Sequence, residues 1–337
     1  MSDALTTVRL RAMACDVTLS VAAPAPVAGP ALAQARAVFA RVEAACTRFD
    51  PGSPLMLANA QPQQWHVVGQ ECFDAVGEAW HAYRETAGLF DPRVLQTLLR
   101  LGYDRSLPFR TGQVSVTSAG VPSAGHGPAR PSAVPVRSAL PGHPTTTWRP
   151  GFDAGRTAVR LGPDPIDLGG IGKGLAVRWA AQRLAVTGAP FLVEAGGDCC
   201  VGGGGPDGSG WRVGVEDPAP AAASDDLVAV LRLVDTGCAT SSVRVRTWQV
   251  DGRPVHHLID PRTGDSSHAG LRAVTVVAPD PAEAETWSKA LFVAGRDGIA
   301  ELSARRGLAA LWIDEEGTIG MTPAIRPQVI WEAERVG

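Results

Sequence analysis

One stretch of this sequence gathers the residue types that phosphate chemistry needs: Asp167-Leu168-Gly169-Gly170-Ile171-Gly172-Lys173-Gly174. Glycines let backbone N–H groups come close to an anion, and the start of a helix turns partial positive charge toward it. Lys173 adds a point charge able to reach a phosphate. No Ser or Thr follows this lysine, so the run is not a Walker A loop, and it lacks the clean G-x-G-x-x-G spacing of a dinucleotide fold. A glycine turn used only for close packing has the same composition, so the motif acquires meaning only from its surroundings. Asp167 and Asp198 both stand at the ends of predicted strands, where polar side chains can face a cleft.

The surrounding periodicity supplies strand, turn and helix in the required order. Ala158–Leu161 and Ile166–Leu168 read as extended, and Leu175, Ala176, Trp179, Ala180 and Leu184 then recur at helical spacing up to Gly188. Upstream, residues 8–22 read as a strand or hairpin arm. A helix is predicted over 31–49 with Pro30 at its start, and another over 70–87 with Phe73, Val76, Trp80, Tyr83 and Ala87 on one face and Gly88 as its cap. Asp91-Pro92 predicts the N-cap of a short helix, Arg93–Leu101. Downstream, strands are expected at Pro190–Ala195, Trp211–Val215, Leu227–Val234 and Leu271–Ala278, with a hairpin over 244–260 turning at Asp251-Gly252. Asp280-Pro281 caps a helix that Gly295 stops. A helix at 297–306 and a hairpin around Leu308–Met321 follow. Long strands and hairpins beside a few helices predict a mixed α/β (α+β) fold rather than a regular doubly wound sheet. Residues 105–147, rich in Pro, Ser, Gly and Thr, are expected to form a long surface loop or partly disordered insertion within a single domain spanning 8–335.

Composition narrows the function classes. The 337 residues are 45% hydrophobic and 19% charged, with a net charge of -3, enough for a sizeable core and without the basic surface that nucleic acid requires. No apolar run reaches the roughly 18 residues of a membrane span. The first residues lack a signal-peptide pattern, and the six cysteines (Cys15, Cys46, Cys72, Cys199, Cys200 and Cys238) show no zinc spacing. The expectation is reduced, mostly buried thiols in a cytoplasmic protein.

Several motifs then fall together in order. They are Met13, Arg48-Phe49-Asp50-Pro51-x-Ser53-x-Leu55-x-x-x-Asn59, Gly88-Leu89-Phe90-Asp91-Pro92, Asp167–Gly174, Glu194-Ala195-Gly196-Gly197-Asp198, Ala239-Thr240-Ser241, His257-Leu258-Ile259-Asp260-Pro261-Arg262-Thr263-Gly264 and Ala290-Leu291-Phe292. At these separations the chain resembles the ApbE family of flavin transferases, from about Met13 to about Ile313. The resemblance implies transfer of FMN from FAD to a Thr or Ser hydroxyl of a target flavoprotein, with release of AMP and with magnesium (Mg) as the usual metal. It also implies that Met13, Phe49, Asn59, Leu89, Phe90 and Asp91 contact the flavin and adenine. Asp167, Gly169, Gly172, Lys173, Gly197, Asp198, Thr240, Ser241 and the His257–Asp260 segment with Ile259 are implied as further FAD contacts. His257 or Asp260 is the candidate for orienting or deprotonating the acceptor hydroxyl. Taken singly these residues have ordinary readings, as core aromatics, a satisfied histidine, or turn and cap aspartates.

The resemblance breaks at the expected metal site. The family places an Asp on the helix after the last long strand, with a Thr four residues later, and both serve the metal. Here those positions read Glu285 and Lys289, neighbours on one helix face. The Gly170 carbonyl is a further metal candidate. Lys289 replaces part of the metal's charge, or pairs with Glu285 and closes the site, or the helix is shifted and other residues serve the metal. Ser242 and Arg244 depart from the family where an acceptor or phosphate would pass. Two other functions stay open from sequence: an FAD-binding protein with weak or no transferase activity, and a magnesium-dependent FAD pyrophosphatase with water as acceptor.

Overall fold

The computed structural model describes residues 5–107, 109, 115–116, 147–219 and 226–333. Among these run the helices α1 (Ala25–Cys46), α2 (Pro54–Ala60), α3 (Gly69–Glu85), α4 (Leu95–Arg100), α5 (Gly172–Ala185) and α6 (Pro281–Arg306). The chain divides into two compact units: residues 1–43, 170–244 and 268–337 form the first, and residues 44–169 and 245–267 the second.

The first unit is built on an antiparallel sheet. Its strands lie in the order Leu5–Ala12, Cys15–Ala22, Phe191–Ala195, Asp198–Gly202, Thr236–Ser242, Leu271–Ala278, Ala309–Asp314 and Ile319–Met321. Alternation decides the faces. Val17, Leu19, Val21 and Val193 meet Leu32, Phe39 and Val42 of α1 and Val177 and Leu184 of α5, while Cys199, Val201, Leu311 and Ile313 meet Val228 and Leu231 of a three-stranded sheet. That second sheet runs Val329–Glu332, Leu227–Leu233, Trp211–Glu216. The first hairpin turns on Met13 and Ala14, both with positive φ (52° and 59°), which places Met13 at a turn tip.

The helix boundaries differ from expectation in ways that have local causes. Helix α1 starts at Ala25, one and a half turns before Pro30, because the Pro24 carbonyl accepts the Val27 and Ala28 N–H groups. Pro30 then costs only the bond to the Pro26 carbonyl, in an exposed first turn that water can reach. The two predicted helices on either side of Gly295 follow end to end within α6 and part, as expected, at Gly295 itself (φ 78°, ψ 174°), where the Arg296 N–H bonds the Ala269 carbonyl. The Asp280 side chain caps α6 as expected, accepting from Ala282 and Glu283 at 2.8 and 3.3 Å.

In the second unit α3 turns its small residues inward: Cys72, Ala75, Val76, Ala79 and Ala82 are buried. Of the predicted face only Val76 is fully buried, and Phe73, Trp80 and Tyr83 are half-buried against Phe152 and Trp148. Helix α4 begins at Leu95, not Arg93, since the Asp91 carboxylate is bound to the arginine instead of capping a helical turn. Ile166–Leu168 forms no strand. The Asn59 side chain takes the place of a strand neighbour, donating to the Ile166 carbonyl and accepting the Ile166 N–H, each at 2.8 Å. The hairpin Thr247–Val250/Arg253–His256 turns on Asp251 and Gly252, both at positive φ, as predicted. The expected loop over 105–147 lies mostly outside the described residues. Within it, Phe109 packs on Tyr103 and Trp248, and Ser115–Val116 pairs in parallel with Gln249 and Val250.

Candidate functional site

In the first unit the starts of α5 and α6 meet at the beginning of the strand Asp198–Gly202 and bring four charged side chains together. Lys173 Nζ lies on Asp198 Oδ2 and 3.2 Å from Glu285 Oε1, and Lys289 Nζ is 3.0 Å from the same Glu285 oxygen. Glu285 Oε2 accepts the Gly174 N–H at 2.7 Å. Helix α5 has no side-chain cap at Ile171, so Glu285 supplies from α6 the partner that one orphan N–H of α5 requires. Glycine at 174 makes this possible, because a Cβ there would stand 2.7 Å from the Ala282 Cα and 2.8 Å from the Pro281 carbonyl oxygen. Ser241 Oγ meets Ser288 Oγ at 2.7 Å, and Ser288 returns to the Glu285 carbonyl, which fixes α6 on the sheet.

The two carboxylates are fully buried yet are pushed in opposite directions. Burial raises Asp198 to about 6 against the pull of Lys173. Glu285 suffers the same burial, but the Lys173 and Lys289 charges and the Gly174 N–H bring it down to about 2. Burial lowers the Lys289 ammonium, with Glu285 acting against it. Asp198 Oδ1 is buried with no hydrogen-bond partner among the described residues.

These side chains do not fit magnesium. Both Glu285 oxygens are engaged, one by two ammonium groups and the other by a backbone N–H. The ion takes oxygen ligands at about 2.0–2.1 Å in near-octahedral geometry. Only Asp198 Oδ1 remains on the two carboxylates, and no group of three or more His, Cys, Asp or Glu able to hold a metal occurs among the described residues. Two ammonium and two carboxylate groups already balance in charge, so the cluster has no net negative charge to hold a dication. Of the three readings of Lys289, the observed geometry is the pairing with Glu285.

The remaining predicted residues of this unit lie nearby or on the sheet. Met13 packs over Gly172, its Cε 3.4 Å from where a Cβ would stand. Gly170 is in the turn entering α5, and Gly197 (φ 92°) is in the turn before Asp198. Thr240 Oγ1 bonds Thr275 Oγ1 at 2.9 Å. The Ser242 hydroxyl accepts the Arg244 N–H, and Arg244 pairs with Glu216. Cys199 stands opposite Cys238 on adjacent strands, and the thiol hydrogen bond between them, with burial, pushes Cys199 up. All six cysteines are free thiols.

The second unit carries the other predicted residues. Phe49, 40% exposed, lies with Tyr103 around the buried Arg48 guanidinium, which is 4.2 Å from each ring centroid. Arg48 Nε is 3.8 Å from Asp167 Oδ2, and Asp167 Oδ1 accepts the Gly169 N–H at 2.9 Å. The Asp167 N–H bonds the Pro92 carbonyl, tying the two predicted segments together. Leu89 is half-buried and Phe90 buried, its N–H on Thr86 Oγ1. Asp91 is buried and bound by Arg93 at 3.0 and 2.7 Å. Ile259 is in the core with Tyr103 and Trp248. His257 lies just beyond the strand Arg253–His256, with Nδ1 3.4 Å from the Arg246 carbonyl oxygen. Asp260 is bound through both oxygens by Arg262, at 2.9 and 2.8 Å. Sequence reasoning missed the three arginines 48, 93 and 262 as structural partners. The signal for two of them was present as a repeated tripeptide, Asp-Pro-Arg, at 91–93 and 260–262.

A family model described as the ApbE family matches residues 12–312. The FAD:protein FMN transferase of Salmonella typhimurium is 35% identical over 156 residues, 45% of this chain and 43% of that protein. A protein of the same name from Klebsiella pneumoniae is 32% identical over 174 residues, 50% of this chain and 48% of its own. The chain thus spans less than half the length of these curated relatives. Among solved structures, the ApbE protein of Thermotoga maritima superposes with a TM-score of 0.75 at 25% identity, over 98% of this chain and 100% of that one. The flavin transferase ApbE of Vibrio cholerae gives 0.73 at 18% identity, over 96% and 99%, a likeness of fold. The motifs quoted from Met13 to Phe292 all fall inside the stretch that the family model matches, and the fold around them is that of the solved ApbE proteins: the chain belongs to the ApbE family.

Proposed function

We propose that this chain transfers FMN from FAD to a Thr or Ser hydroxyl of a target flavoprotein. The observation that carries the reading is the 32–35% identity with relatives named FAD:protein FMN transferase, within a family model covering 12–312. The acceptor oxygen attacks the FMN phosphorus, and the bond from that phosphorus to the bridging oxygen breaks. AMP leaves with the electron pair, and the hydroxyl proton passes to a base. Such a transfer is catalysed chiefly by positioning and by neutralising charge. Lys173 and the α5 turn at Gly169, Gly170 and Gly172 are assigned to the pyrophosphate. Met13, Phe49, Leu89 and Phe90 are assigned to the rings. Asn59, Asp91 and Asp167 act by holding the segments that carry those contacts, since their side chains are bound to Ile166, Arg93 and Gly169. The proton is assigned to His257, because Arg262 engages both Asp260 oxygens.

Residues 8–335 are proposed to work as one domain in the cytoplasm, supported by the family model's reach and by six free thiols. The test is incubation with FAD and an acceptor flavoprotein, reading AMP by chromatography and flavin fluorescence in a denaturing gel. AMP together with a fluorescent acceptor band is expected, and absence of both overturns the reading. The Glu285–Lys289 pair favours one other reading, an FAD-binding protein that does not transfer. It predicts bound flavin without AMP.

A further inference from the structure

We propose that the phosphate site of this chain is independent of divalent metal: the ammonium groups of Lys173 and Lys289 supply its positive charge, and Glu285 serves as their shared counter-ion instead of as a metal ligand. The inference rests on the FMN-transfer reading for the identity of the phosphate, and on the geometry of the first unit for everything else.

Three observations carry it. Glu285 Oε1 lies 3.0 Å from Lys289 Nζ and 3.2 Å from Lys173 Nζ, so one carboxylate oxygen holds two cations. Glu285 Oε2 is committed to the Gly174 N–H at 2.7 Å, and rotating it toward a metal would strip the start of α5 of its partner. The Glu285 side chain has no exposure at all, whereas the Lys173 and Lys289 side chains keep 12% and 17% of theirs, so the two lysines are the part of this trio open to solvent. A pyrophosphate brought to this face finds two positive charges already fixed and hydrogen-bonded. The charges are set before substrate arrives, so they need no reorganisation during the reaction. An ammonium has three donors, and that of Lys289 spends one on Glu285. A resident dication at Glu285 would have to displace Lys289 from its only carboxylate partner within salt-bridge distance among the described residues.

The experiment has two arms that separate this proposal from the reading beneath it. The first measures Mn2+ binding to the flavin-free protein by electron paramagnetic resonance, and needs no FAD chemistry. The wild-type chain is expected to bind no Mn2+ below millimolar concentration. Lys289→Thr frees Glu285 Oε1 and is expected to gain at least tenfold in Mn2+ affinity. Lys289→Gln, which keeps the length of the side chain without its charge, is expected to move in the same direction. Submillimolar Mn2+ binding by the wild type, abolished in Glu285→Gln, overturns the proposal whatever the variants do. The second arm follows AMP release from FAD and acceptor in excess chelator and in added magnesium. Equal rates within twofold are expected. A rate that falls tenfold or more in chelator and returns with magnesium overturns the proposal while leaving FMN transfer standing. Absence of AMP in both conditions counts against FMN transfer, and the Mn2+ arm then decides the metal question alone.

Discussion

The two units bury carboxylates by different means. In the second unit the solution is local and used twice: Asp91-Pro92-Arg93 and Asp260-Pro261-Arg262 fold alike, with the arginine N–H and Nε on Oδ1 and Nη2 on Oδ2 of the aspartate two residues before it. Proline fixes φ between the partners and removes a competing donor, so three residues make a complete clamp. In the first unit the solution is tertiary. Glu285 and Asp198 are neutralised by Lys173 from another helix and by Lys289, and the cluster exists only when α5, α6 and the strand Asp198–Gly202 are packed. A local clamp is self-sufficient and leaves its carboxylate occupied. A tertiary cluster can leave ammonium groups facing outward, and is correspondingly exposed to any change that removes one member.

That contrast is broken most severely at Glu285. In Glu285→Ala two buried ammonium groups lose their common partner and the Gly174 N–H is orphaned, which is expected to cost about 3–5 kcal/mol, toward the upper end. Urea denaturation checks it, and a loss below about 1 kcal/mol would show that the cluster is not a unit. Asp91→Ala is expected next, near the lower end of the same range of about 3–5 kcal/mol, since the Arg93 side chain is only 1% exposed but keeps a second carboxylate, Asp164, at 3.9 Å. Replacing both Asp91 and Arg93 by apolar residues is expected to recover part of that loss, the signature of a stranded charge.

The same contrast explains which parts of the structure were legible in the sequence. The Asp280 cap, the Asp251-Gly252 turn and the break at Gly295 are decided within a few residues, and they stand where the sequence puts them. The Glu285–Lys289 neighbourhood follows from helical spacing alone. What stayed hidden joins distant segments. Gly174 and Glu285 are 111 residues apart, and Asn59 and Ile166 are 107 apart, so no local pattern shows that a carboxylate caps α5 or that an asparagine stands in for a strand. Pro30 misled for a related reason. Its signal for a helix start is local, but Ala28, Ala31 and Leu32 on the other side of the same helix are buried in the core, and tertiary burial outweighs one lost hydrogen bond.

Two smaller effects sharpen the comparison. Gly174→Ala pushes a methyl group into the Ala282 backbone and is expected to cost about 1–3 kcal/mol by overpacking, measurable as a lower urea midpoint. It also moves Glu285 off the α5 N–H, so Mn2+ binding should rise slightly while the second unit is unaffected. Asp260→Ala is the last and smallest. It removes the same clamp as Asp91→Ala, with the same hydrogen bonds, but the Arg262 side chain is 53% exposed and can be hydrated once released. The expected loss is therefore below about 1 kcal/mol. Tripeptide and geometry are held constant between the two sites, and Asp164 beside Arg93 can only reduce the loss in Asp91→Ala, so a larger loss there reports burial of the arginine. If denaturation midpoints fell equally in Asp91→Ala and Asp260→Ala, solvent access would not be what sets the cost, and the turn that the aspartate closes at each site would have to carry it instead.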